Sequence, residues 1–123
     1  MELVGIISEY SPELSKKKYG DFKIEVEYDN KKEIFNYLSN GIPVAVTMQI
    51  VYSLIKDDSN IIGGISYLTD GYWIWPNYLN YYVDKASIEL PERFVDFIFK
   101  NKISELISEE QKREAINLLK SGK

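Results

Sequence analysis

The chain has 123 residues, 45% of them apolar and 28% charged, and its 15 basic and 19 acidic side chains leave a formal net charge of −4. That length suits one domain with a real core, and the acidic balance argues against a binder of phosphate backbones, which needs a concentrated basic surface. There is neither His nor Cys, which removes Ser-His-Asp and Cys-His catalysis, disulfides and His- or Cys-ligated zinc; a hard cation held only by oxygens stays open, and the expectation is no cofactor and no metal site.

The N-terminal "MELVGIISEY" lacks a basic region followed by a long apolar run, so it does not read as a signal peptide. No apolar stretch reaches the ~20 residues of a membrane span, and a cytoplasmic protein is the expectation. Leu3 to Tyr10 is apolar and rich in Ile and Val, and reads as a strand. "SPELSKKKYGD" then carries Pro12, Gly20 and the run Lys16, Lys17, Lys18, the mark of a solvated loop. From Phe22 to Tyr28 the chain alternates: Phe22, Ile24, Val26 and Tyr28 take one face, and Lys23, Glu25 and Glu27 the other. This pattern predicts a half-buried strand with a charged outer face.

Asp29 and Asn30 follow and can cap a helix beginning near Lys31, Ile34, Phe35 and Leu38 form an apolar stripe, and Asn40-Gly41 is a stop signal. The segment 44–56 is ambiguous. Val44, Val46, Ile50 and Val51 favour a strand; its length and the set Met48, Val51, Tyr52 and Ile55 favour a helix, which is the reading adopted. It ends before Asp57-Asp58-Ser59-Asn60.

"GGISYLT" and "YWIWP" flank Asp70-Gly71, a strong hairpin signal because a tight turn needs residues that tolerate positive φ. Gly63-Gly64 points to a bulge, Pro76 to the end of the second strand, and "NYLNYYVDK" to a helix. With a two-residue turn, Leu68, Trp73 and Trp75 share one face of the hairpin and Tyr67, Tyr72 and Ile74 the other. Trp73 and Trp75 are expected in the core, and at least one of Tyr72, Tyr78, Tyr81 and Tyr82 at the surface. Pro91 and Glu92 open a further helix with Phe94, Val95, Ile98 and Phe99 on one side. Ser108 and Gln111 form a capping box for a last helix with Ala115, Ile116 and Leu119 inward and Gly122 after its end.

No nucleotide-binding glycine motif and no calcium-loop pattern occurs, and no feature selects a catalytic pair from the scattered carboxylates. The expected fold is a single α+β domain over 1–123: an antiparallel sheet that includes the Asp-Gly hairpin, with helices mainly on one face and a helical C-terminus.

The string Thr69-Asp70-Gly71-x-Trp73-x-Trp75-Pro76, then Tyr81-Tyr82-Val83, then Leu90-Pro91-x-x-Phe94, resembles a pattern in a family of small uncharacterised bacterial proteins. By size, acidity and lack of catalytic residues the chain is also similar to the immunity proteins of bacterial toxin systems. That likeness implies a non-catalytic, cytoplasmic module, monomer or homodimer, that occludes a cognate, basic toxin domain and binds neither nucleic acid nor membrane. The candidate contacts are Glu25, Glu27, Asp57, Asp58, Tyr72, Tyr78 and Tyr82. The competing expectation is a small-ligand or carbohydrate-binding module built on the aromatic segment 67–82.

Overall fold

A four-stranded mixed sheet organises the molecule, with strand order β1-β4-β3-β2. Its strands are β1 (Glu2–Leu3), β2 (Ile42–Tyr52), β3 (Ile61–Thr69) and β4 (Trp73–Pro76). Among the described residues four α-helices accompany it: α1 (Lys31–Ser39), α2 (Tyr78–Ala86), α3 (Glu92–Lys100) and α4 (Glu109–Ser121). The structure, a computed structural model, describes residues 1–56, 58, 60–100 and 107–121. The fold is α+β, as the sequence implies, with β2, β3 and β4 antiparallel and β1 parallel to β4.

Three segments differ from their sequence patterns, each for a local reason. The strand expected over Leu3 to Tyr10 stops after Leu3, because Gly5 takes φ +70° and the chain then turns at Ile7, whose carbonyl accepts from Tyr10 N and Ser11 N. A Cβ on Gly5 would lie 2.6 Å from the methyls of Leu79, so glycine is required there for space as well as φ. Phe22 to Tyr28 joins no sheet, and its expected inward face holds only in part: Phe22, Val26 and Tyr28 are half-buried, but Ile24 is exposed. Glu25 sits at φ +57°, and the backbone bonds go to the chain after α2: Glu25 N to Ala86 O, Val26 N to Ser87 O and Glu89 N to Lys23 O. The segment 44–56 is a strand, not a helix. Met48 is almost bare while Val51 is buried, which no helical face containing both allows, and the β-branched residues win over length.

The hairpin turn is wider than two residues. Thr69 pairs with Ile74 and Leu68 with Trp75, a slip of two from a tight Asp-Gly turn. An even slip leaves every side chain on its predicted face. Asp70 Oδ1 holds the loop by accepting from Tyr72 N (2.8 Å) and Trp73 N (2.7 Å), and Thr69 Oγ1 donates to Trp73 O at 2.6 Å. Gly71 supplies φ +98°.

The face bearing Leu68 and Trp75 meets α1 and α3. The Trp75 indole donates to Leu38 O at 3.0 Å, and its ring lies 5.7 Å from Phe94. Trp73 packs 4.9 Å from the same Phe94. Both Trp residues are buried. The opposite face, with Ile65, Tyr67 and Val51, receives the N-terminal segment: Ser11 Oγ lies 2.8 Å from Tyr67 Oη, and Tyr10 Oη donates to Tyr52 O.

The caps hold where they fall on described residues, but Phe99, expected on the apolar face of α3, is exposed. Asn30 caps α1 by accepting from Glu33 N, and Ser108 and Gln111 exchange the two bonds of the capping box. Pro76 closes β4, and Ile62 is left without an opposite residue at the Gly63 bulge. Gly122 lies outside the described residues.

Candidate functional site

The aromatic segment is mostly interior. Tyr78 and Tyr82 point inward from α2 and are fully buried, so the expectation that they offer a partner contact is corrected. Four-residue spacing puts both on one side of a helix, but that side faces the core. Their hydroxyls are spent. Tyr78 Oη accepts from Ile7 N at 3.0 Å and lies 3.3 Å from Ser11 Oγ. Tyr82 Oη accepts from Leu54 N at 2.9 Å and sits 2.5 Å from Tyr10 Oη. A phenol carries one proton, and that of Tyr10 goes to Tyr52 O, so Tyr82 is the donor between the two rings. Burial above all pushes the Tyr10 hydroxyl above the usual phenol range. Burial also raises Tyr78 and Tyr82.

The polar groups that a sugar site would need are likewise committed. Asp70 serves the turn and accepts from Tyr37 Oη at 2.6 Å. Asn77 bridges β3 through Ser66 N and Gly64 O, and Asn80 donates to Ser39 Oγ. Among the described residues, Asn80 Oδ1 is a buried side-chain oxygen without a partner.

The remaining candidates scatter. Tyr72 is 59% exposed at the turn, its ring 5.3 Å from Phe97. Glu25 and Glu27 are exposed beside the end of α2. Asp58 is tied down: its carboxylate accepts from the hydroxyls of Tyr81 and Ser53 and from Asn60 N. The Tyr81 hydroxyl, then Asn60 N–H, holds that carboxyl below its usual range. Asp57 lies outside the described residues. Of the expected contacts, Tyr72, Glu25 and Glu27 are exposed, while Tyr78 and Tyr82 are enclosed.

What does gather was missed in the sequence. Along the outer half of β2, Val46 is 73% exposed, Met48 96%, Ile50 58% and Tyr52 58%, with Ile61 of β3 at 62%. Val46 pairs with Ser66, on the Leu68–Trp75 face, and Tyr52 pairs with Ile61. Opposed residues share a face, so one sheet face is covered at its inner end and open at its outer end. β2 is also the last strand in the order. The β-branched content of Val44, Val46, Thr47, Ile50 and Val51 was the signal that could have found this strip.

A cleft of about 350 Å³ lies between Leu3–Ile6, Leu14–Lys17 and Glu89–Pro91. Lys17 Nζ is 3.2 Å from Glu89 Oε1 and 4.2 Å from the Phe22 ring. The Lys23 N–H, more than Lys17, keeps the Glu89 carboxyl below its usual range.

Among the described residues no group of three or more Asp or Glu side chains could hold a metal ion, and no helix is long and apolar enough to cross a membrane. Comparison with protein-family models, curated proteins and solved structures finds no match for this chain.

Proposed function

We propose that the chain is a non-catalytic protein-binding module that works by covering a partner's surface, as immunity proteins cover a toxin domain. One observation carries this reading: five large apolar side chains at the outer end of β2 and β3, Val46, Met48, Ile50, Tyr52 and Ile61, are each more than half exposed. Contiguous apolar surface of this kind marks a docking site. Aromatic and Met side chains are favoured at the centres of interfaces, and both are present. Exposed Glu25 and Glu27 would act at long range, raising the on-rate for a basic partner without touching it.

The ligand reading loses its basis in segment 67–82, whose Tyr78, Tyr82 and Trp75 are enclosed. The cleft beside Lys17 and Glu89 is the observation left to favour it, being of a size that suits a small molecule.

The test begins with purification from the source cells and mass spectrometry of what co-purifies. The expected result is one stoichiometric protein with a basic toxin domain whose expression arrests growth. Co-expression of the wild-type chain should restore growth, and Ile50→Lys should not. Equal protection by Ile50→Lys would contradict the assignment of the strip.

A further inference from the structure

The open strip on β2 and β3 has a shape, a charge and a size, and together they specify an occupant. We infer that a second copy of this chain covers it, the two strips packing face to face about a two-fold axis. This rests on the reading of the strip as a docking surface, and it names what occupies that surface in the free protein.

Charge favours a like partner. No charged residue occurs from Ile42 to Ile55, so two identical strips meet without like-charge repulsion.

Area comes next. Tyr52 alone carries on the order of 150–250 Å², and it and four smaller aliphatic side chains are each more than half exposed here. Two copies would bury roughly 1,200 Å² in total, which reaches the size of stable, specific interfaces.

Shape is the third point. An isologous contact must be self-complementary. Ile50 stands opposite Gly64, where an added Cβ would meet only the backbone oxygens of Thr47 and Gln49, at 3.7 and 3.9 Å. Gly64 therefore leaves a depression beside Ile50. Met48 is the most protruding of the strip's side chains and is unbranched, so it adapts to such a hole. Each copy thus offers both the knob and the hole.

The irregular ladder decides between two ways of associating. From Val46–Ser66 to Ile50–Gly64, β2 advances four residues and β3 two. That bulge disrupts the free edge of β2 as a template for strand addition. Pro43 removes one more backbone donor from the same strand. Packing of the faces, at the usual sheet-to-sheet spacing of about 10 Å, buries the exposed side chains; edge pairing does not.

Sedimentation velocity on the full chain, from low to high micromolar, tests this. The wild type should reach twice the 14.3 kDa chain mass. Met48→Lys and Ile50→Lys should each raise the dissociation constant on the order of 100-fold or more, because like charges would be set against each other in the dimer. Their far-UV circular dichroism should match the wild type, since both side chains are exposed in the single chain. A wild type at single-chain mass throughout, or variants that associate as tightly, overturns the proposal. Growth protection separates this from the docking reading. Suppose the wild type is monomeric but Ile50→Lys still loses protection: the second copy falls and the docking surface stands. Suppose the wild type is dimeric and Ile50→Lys protects fully: the toxin contact falls and the dimer stands.

Discussion

The β2–β3 hairpin has two ends with opposite characters. At the inner end Leu68 pairs with Trp75 beneath α1 and α3, and the rings of Trp73, Trp75 and Phe94 are enclosed. At the outer end Val46 and Ile50 stand in solvent on the same face, with Met48 exposed in the bulge between them and Tyr52 exposed beyond it. The residue classes are alike at both ends; what differs is whether the chain supplies its own cover. Apolar character marks what wants burial, and topology decides whether the molecule buries it itself or leaves it to a partner.

The largest expected effect lies at the closed end. Trp75→Ala removes a fully buried indole and its bond to Leu38 O. It should cost about 3–5 kcal/mol in urea unfolding, a large share of the ~5–15 kcal/mol typical of a domain. A loss below about 1 kcal/mol would mean that this end is not the core. Next comes Tyr82→Phe, which strips the hydroxyl that accepts from Leu54 N and donates to Tyr10 Oη. An orphaned buried donor costs about 1–3 kcal/mol, read in the same melts.

Alkali should act on the closed end too. Burial pushes the Tyr28 hydroxyl up to about 12, and raises Tyr10, Tyr37 and Tyr78 as well. In the unfolded chain these groups ionise near pH ~10. The stability linked to them is therefore whole below that value and is lost as pH rises through the folded-state values. The urea midpoint should be flat from neutral pH to about 9 and fall between about 10 and 12. Tyr28→Phe should make that fall shallower, and an unchanged slope would show that Tyr28 titrates as if exposed. The smallest effect on the fold belongs to the open end. Met48→Lys should change the stability of the single chain by no more than about 0.5 kcal/mol, at dilutions where no association occurs.

Much of the closed end was legible in the sequence. Caps and stops are local chemistry, so Asn30, Ser108 with Gln111, Gly63 and Pro76 read true. The faces of the hairpin also read true although its register did not, because an even slip conserves them. Two strand patterns misled because what breaks them lies elsewhere. Gly5 turns the chain against Leu79, and residues 23–26 bond to the loop after α2. Helical spacing put Tyr78 and Tyr82 on one side but did not say that the N-terminal segment would close over them. Of the expected surface contacts, Tyr72, Glu25 and Glu27 are exposed, while Asp58 is held by Tyr81 and Ser53. The strip was hidden by reading 44–56 as a helix, where Met48 and Val51 would share a side instead of facing apart.

Methionine-methyl NMR tests the contrast between the two ends most directly, because the chain has two methionines, Met1 and Met48. Met1 lies against the core near α4 and serves as the internal reference. In a mixture of methyl-labelled and unlabelled chains, the Met48 methyl should show contacts to protons of a second chain, the Tyr52 ring and Ile50 among them. Its shift should move with concentration while that of Met1 stays fixed. A Met48 methyl that remains at a free-surface shift at every concentration, with no contact to a second chain, would contradict the account.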